Sequence, residues 1–135
     1  MAKSTGLGAS VAVDDSGGTP RTISNDITDF TINTPRPDQD VTGIDKLARE
    51  RLLLLADFTI SLNGVFNPAA TTTAHAVFST VPSSSVNRTT TVTVQAKILA
   101  GELLYTDYAL TRGADGAMTW TAPGALADGA VPTWA

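Results

Sequence analysis

Between residues 41 and 68 the hydrophobic period of the chain changes, and that change limits what the rest can fold into. From Phe58 onward the residues alternate, with Phe58, Ile60 and Leu62 set against Thr59, Ser61 and Asn63. That is the pattern of a strand with one buried and one wet face. Asn67-Pro68 ends it, because proline cannot donate to a ladder. Earlier in the stretch Ile44, Leu47, Ala48, Leu52 and Leu55 recur at helical spacing. Thr42 with Asp45 three residues on resembles a capping box, so a short helix is expected over 44–55. Residues 52–55 are apolar on every side, however, and read equally as a loop wrapping into a strand.

The same alternation recurs along the chain. Phe30 and Ile32 oppose Asp29, Thr31 and Asn33, with Ile27 out of register and a bulge expected near Thr28. Thr34-Pro35-Arg36-Pro37 ends that strand or marks it as an edge. Val92, Val94, Ala96 and Ile98 alternate with Thr91, Thr93, Gln95 and Lys97, and Gly101 is expected at the turn that follows. Leu104, Tyr108 and Leu110 alternate with Tyr105, Asp107 and Thr111, and Met118, Trp120 and Ala122 with Thr119 and Thr121. Arg112-Gly113-Ala114-Asp115-Gly116 makes a hairpin loop between the last two. One helix is expected at about 68–81. Asn67 and Pro68 suit its start, Ala74, Val77, Phe78 and Val81 form its apolar stripe, and Pro82 ends it. Residues 1–22, with Gly6, Gly8, Gly17, Gly18 and Pro20, read as a flexible arm, although residues 9–13 could pair as a short strand. Residues 23–135 then form a single β domain.

Composition narrows the function. A length of 135 residues suits one domain with a real core. Twenty-one threonines among Val, Ile and Phe imply much uncharged, hydrated β surface. A net charge of −4 argues against a basic nucleic-acid binder. The chain has no cysteine, which excludes disulfides, thiolate nucleophiles and thiolate metal sites. The opening MAKSTGLGAS has no apolar signal region, and no window approaches the roughly 20 apolar residues needed to cross a bilayer, so no membrane partner is expected.

Catalytic chemistry finds little support. His75 is the only histidine, and no G-x-S-x-G elbow accompanies it. A helix-surface or capping role is the better reading. Asp14-Asp15-Ser16-Gly17 and Asp38-Gln39-Asp40 lack the spacing of a calcium loop and read as solvated turns. Gly6-Leu7-Gly8 lacks the later glycine of a dinucleotide loop. Trp120, between Met118 and Ala122, reads as core. A sugar-binding β module would instead need Trp120, Trp134 and Tyr105 exposed on one flat face, and a small hydrolase would need His75. No catalytic, cofactor-binding or metal residue is expected.

The order of the segments carries more information than any one of them. ISNDITDFTINTP, DVTGIDK, ARERLLLLADFTISLNGVFNP, TAHAVFSTVP, R-x-x-T-V-T-V, DYALTRGADGAMTW and VPTW follow one another from Ile23 to Trp134. This series resembles the major tail tube proteins of long-tailed, non-contractile bacteriophages. The resemblance implies a small antiparallel β-sandwich or half-barrel with one flanking α-helix, an N-terminal arm and a long loop. It implies that six copies form a ring, and that rings stack into a tube conducting genomic DNA without binding it specifically. Tape measure, terminator and distal tail proteins are the further partners it implies, in a virion assembled in the host cytoplasm. A tail terminator or head-tail connector is the neighbouring alternative, and 135 residues leave no room for an added immunoglobulin-like domain. On this reading Leu7, Val11, Val13, Leu47, Leu52, Leu53 and Leu54 are candidates for contacts between subunits or rings. Asp29, Thr31, Asn33, Thr91, Thr93 and Gln95 are candidates for the lumen. Five leucines within residues 47–55 exceed what one small core can bury, so an exposed apolar patch is expected there.

Overall fold

The computed structural model describes residues 3–135. Its ten strands are β1 (Ser10–Asp14), β2 (Pro20–Thr22), β3 (Ile27–Asn33), β4 (Asp38–Asp40), β5 (Arg51–Leu53), β6 (Thr59–Val65), β7 (Arg88–Val94), β8 (Lys97–Tyr105), β9 (Ala109–Arg112) and β10 (Met118–Leu126). Its one α-helix among the described residues is α1 (Ala74–Phe78). Eight strands form an open antiparallel sheet in the order β2-β1-β7-β8-β10-β6-β3, with β9 added to β10. The mainly β class expected from the alternating segments is what the chain adopts.

β10 has three partners. One edge of that strand pairs with β6 from Thr119 to Ala125. On the other edge β9 takes Met118 to Thr121 and β8 takes Gly124 to Leu126. These two lie end to end along that edge, with the Thr106 N–H donating to the Pro123 carbonyl at 3.4 Å between them, and one buried core gathers side chains from across the sheet. Phe58, Ile60 and Leu62 lie in it, as their alternation requires, together with Trp120, Ala122 and the helix face Ala74, Val77 and Phe78. The Phe78 ring packs against Tyr105 and Trp120 at centroid separations of 4.8 and 5.6 Å. Both polar handles are satisfied: Trp120 Nε1 donates to the Val65 carbonyl at 3.0 Å, and the Tyr105 hydroxyl bonds that of Thr90 at 2.7 Å. Burial pushes the Tyr105 phenol well above its ordinary pKa.

Five expectations are corrected. The segment read as an arm supplies β1 and β2. β1 pairs with β7, and Val11 and Val13 are 2% and 0% exposed in the core. The short strand read as the alternative over residues 9–13 is β1, and its alternation suffices once β7 offers an edge. What precedes Ser10 is all that is left of the arm, and its residues 1 and 2 lie outside the described residues. The helix is shorter than expected because Thr71 sits at φ 78°, which no helix accommodates. Thr73 then supplies the cap, its hydroxyl accepting the Ala76 N–H at 3.1 Å. The strand read through Ile98 folds back instead at Gln95 and Ala96, with φ of 49° and 67°. Two left-handed residues make the tight turn that suits a β-hairpin, here without its usual Asn or Gly. Ile98 consequently faces solvent, Leu99 and Leu103 face the core, and Gly101 lies within β8; the strand read over 104–111 is interrupted after Tyr105, which is buried while Leu104 and Leu110 are exposed. Finally, residues 44–55 contain no helix, for reasons that lie in the hairpin described below.

Two buried polar residues brace the frame. Asp26 accepts the Ala74 N–H at 3.0 Å and the Asn67 amide at 3.0 Å, tying the start of α1 to the entrance of β3. A Cβ at Gly64 would fall 1.8 Å from the Asp26 carbonyl oxygen, so only glycine admits this approach. Arg88, 1% exposed, donates to the Asp14 carbonyl at 3.0 Å and the Thr80 hydroxyl at 2.9 Å. Burial works against its charge, and nearby Asp15 and Asp14 favour it.

Candidate assembly surfaces

After β3 the chain leaves the sheet through Thr34-Pro35-Arg36-Pro37 and returns only at Phe58. Between them β4 and β5 form a two-stranded antiparallel hairpin. Its ladder is extended by Asp57 N–H to the Pro35 carbonyl, Leu54 N–H to Pro37 and Val41 N–H to Glu50, at 2.8 to 2.9 Å. Thr42, expected to cap a helix, closes the hairpin instead. Its hydroxyl accepts the Glu50 N–H at 2.8 Å, and its own N–H donates to Asp40 at 3.0 Å. The Thr42 hydroxyl also donates to the Asp40 carboxylate, and that bond, with the one from the Thr42 N–H, holds the Asp40 carboxyl below its ordinary pKa. Arg51 pairs with Asp38 at 3.3 Å, Lys46 with Glu50 at 3.7 Å and Arg49 with Asp40. All are solvent-exposed, and such pairs contribute little.

Among the described residues, the hydrogen bonds of residues 35–56 all stay within residues 35–57. With neither face on the core, alternation has no inside to follow, so Leu52, Leu53, Leu54 and Leu55 are all exposed. Ile44 and Leu47 at the tip are wholly exposed, at 108% and 105%. The expected apolar patch is present. Of the contact candidates, Leu47, Leu52, Leu53 and Leu54 lie in it, and Leu7, 80% exposed, precedes β1. Val11 and Val13 do not join them, being core. Ile44 and Leu55 belong to the patch and were legible from their apolar character, although helical spacing pointed them inward.

A second surface is polar. Asp29, Thr31 and Asn33 on β3 are exposed and stand opposite Asn63, Ser61 and Thr59 of β6. The row continues to β10, where the Thr121 hydroxyl donates to Asn63 Oδ1 at 2.8 Å. Thr91 and Thr93 on β7 are half-buried and also point away from the core. They lie apart from the first three residues, with β8, β10 and β6 between. Gln95 is in the β7–β8 turn and donates to the Leu7 carbonyl at 3.2 Å.

The sugar-binding reading loses its geometry, and His75 is engaged by its neighbours. His75 Nδ1 meets the Tyr108 hydroxyl at 3.1 Å and its ring stands edge-on to Phe66, a packing role. Trp120 and Tyr105 are buried while Trp134 is 53% exposed, so the three form no flat platform. Asp15 spends its carboxylate on the N–H groups of Gly17 and Thr19 and on Arg21.

An open antiparallel sheet, one short helix and an apolar hairpin that pairs with neither edge of the sheet define the fold. The tail of an empty gene transfer agent particle, refined with C6 symmetry, contains a chain of this fold. The two align with a TM-score of 0.78 at 19% identity over 98% of this chain and 99% of that one. A chain of the native gene transfer agent virion aligns with a TM-score of 0.77, also at 19% identity, over 98% and 99%. A chain of the six-fold symmetrised baseplate of the anti-feeding prophage aligns at 0.69 and 10% identity over 100% and 97%. No family model and no curated protein matches the sequence.

Proposed function

We propose that this chain is a structural virion protein, the repeating subunit of a phage-type tail tube. Six copies form a ring, rings stack, and genomic DNA passes through the lumen. The observation that carries this reading is the hairpin of residues 35–57, which exposes seven large apolar side chains at Val41, Ile44, Leu47, Leu52, Leu53, Leu54 and Leu55. A two-stranded hairpin is marginal in water without packing, and apolar surface of this kind marks a partner surface. The similarity to chains from particles with six-fold symmetry supports a second copy of this chain as that partner. Tape measure, terminator and distal tail proteins are the further partners that belong to this reading.

The polar β3–β6 face suits a lumen. Asp29, Thr31 and Asn33 are neutral or acidic, and a weakly acidic wall lets DNA slide without sticking. Thr91, Thr93 and Gln95 are the second lumen set. Edge strands left open in the protomer, β3 among them, are closed by neighbours within the ring.

A baseplate ring or terminator is the second reading, favoured by the likeness to a baseplate chain. Negative-stain microscopy of the purified chain separates the two. Tubes of indefinite length support the tube subunit, and single rings support the ring component. A chain that stays monomeric at high concentration contradicts both.

A further inference from the structure

The edge of β8 is shared between two occupants. β10 pairs with it from Leu103 to Tyr105, and the Ala127 N–H extends that ladder to the Glu102 carbonyl at 3.1 Å. Beyond that point β10 has gone, and residues 131–135 take its place. Ala135 and Ile98 exchange two backbone hydrogen bonds, at 2.8 and 3.0 Å, the signature of an antiparallel pair. The same register sets Pro132 opposite Gly101. A Cβ there would lie 2.4 Å from Pro132 Cγ, so the glycine within β8 is the seat of that ring. Glycine weakens a strand interior and commonly marks the close approach of another backbone.

The occupant is lightly held. Its one bonded pair is Ala135 with Ile98, and Val131, Thr133, Trp134 and Ala135 are exposed. From Ala127 to Ala135 the chain advances eight residues while β8 advances four, from Glu102 to Ile98, so four residues loop out. In that loop Asp128 accepts the Ala130 N–H at 3.0 Å and Gly129 sits at φ +75°.

Resting on the self-assembling subunit proposed above, we infer that this slot is an exchange site between copies. In the assembly, residues 131–135 of one subunit leave their own β8 edge and pair with the same edge of a neighbour. Exchange of an identical element preserves every contact in the slot. It also lets the looped junction straighten, so the closed protomer has little to lose by opening.

The absence of cysteine makes a covalent trap clean. The Cβ of a residue at 101 would lie 3.4 Å from that of residue 132, close to the roughly 3.5–4.5 Å a disulfide spans. The full chain carrying Gly101→Cys and Pro132→Cys is oxidised dilute and assembled, then run without reductant. Dilute protein is expected to stay at single-chain mass with both thiols consumed, and assembled protein to become covalent multimers. Single-chain mass in the assembled sample overturns exchange. A second arm does not need tubes. The full chain with Gly101→Cys alone, whose added Cβ dislodges its own segment, is mixed with a peptide of residues 127–135 carrying Pro132→Cys. Disulfide formation is expected at least tenfold faster than with a scrambled peptide. Equal rates show that the edge accepts no second copy's segment, whatever microscopy says of the tube.

Discussion

β6 and the hairpin that precedes it are neighbours in sequence and opposites in fate. Phe58, Ile60 and Leu62 are buried to within 3% of completely. Leu52, Leu53, Leu54 and Leu55 are a few residues away and as apolar, yet at least 43% exposed. What separates them is what lies alongside. β6 has β10 on one edge and β3 on the other, with the core beneath, whereas β5 has only β4. Apolar character alone does not decide burial; a strand alternates only when one of its faces has a core to meet. The hairpin keeps its leucines without an inside, and the proposed tube supplies the missing partner.

Mutations should divide along the same line. The largest effect belongs to the core: Phe78→Ala removes the ring that Tyr105 and Trp120 pack against and should cost ~3–5 kcal/mol in chemical unfolding. Ile60→Ala should follow at ~2–5 kcal/mol, and an unchanged melting temperature would show that β6 presents its other face. Asp26→Ala leaves the Ala74 N–H and the Asn67 amide without an acceptor and should cost about 1–3 kcal/mol. Replacing Leu52, Leu53 and Leu55 with serine should change protomer stability by no more than about 0.5 kcal/mol per site. The same triple change should abolish tube formation in sedimentation; normal tubes would remove the hairpin from the interface.

Acid gives the smallest contrast. Bonds from Thr42 lower the folded-state pKa of Asp40 below 3.8, so its contribution is complete above 3.8 and is lost as pH falls through the lowered value. In NMR titration of the free protein the Thr42–Glu50 closure should loosen below pH 3.8 while β6 amides stay unmoved. Loosening of both together would mean the hairpin is braced by the core after all.

The sequence was legible where a core strand alternates without interruption, and less so at β1 and β8, whose core residues Val13, Leu99 and Leu103 were obscured by a glycine-rich flank and an unannounced turn. β3 with its bulge, β6, β10 and the buried stripe of α1 all follow from period and punctuation. It was silent where the decisive contact is distant or the signal atypical. Gln95 and Ala96 adopt a turn usually left to Asn and Gly, and nothing in their identity announces it. Arg88 gives no local sign of burial, because the Asp14 carbonyl and Thr80 hydroxyl that receive it come from other segments. β1 depends on β7, almost eighty residues later. For the candidate surfaces, the surplus of leucine announced the patch correctly, while helical spacing misled about its form because an exposed hairpin imposes no period.

Hydrogen exchange on free and assembled protein, compared amide by amide between residues 41–55 and β6, tests the central claim most directly. In the free chain β6 should already be protected and the hairpin should exchange fast. On assembly the hairpin should become protected while β6 hardly changes. A hairpin that exchanges as fast in assembled particles as in the free chain would contradict the account, because its leucines would then meet no partner.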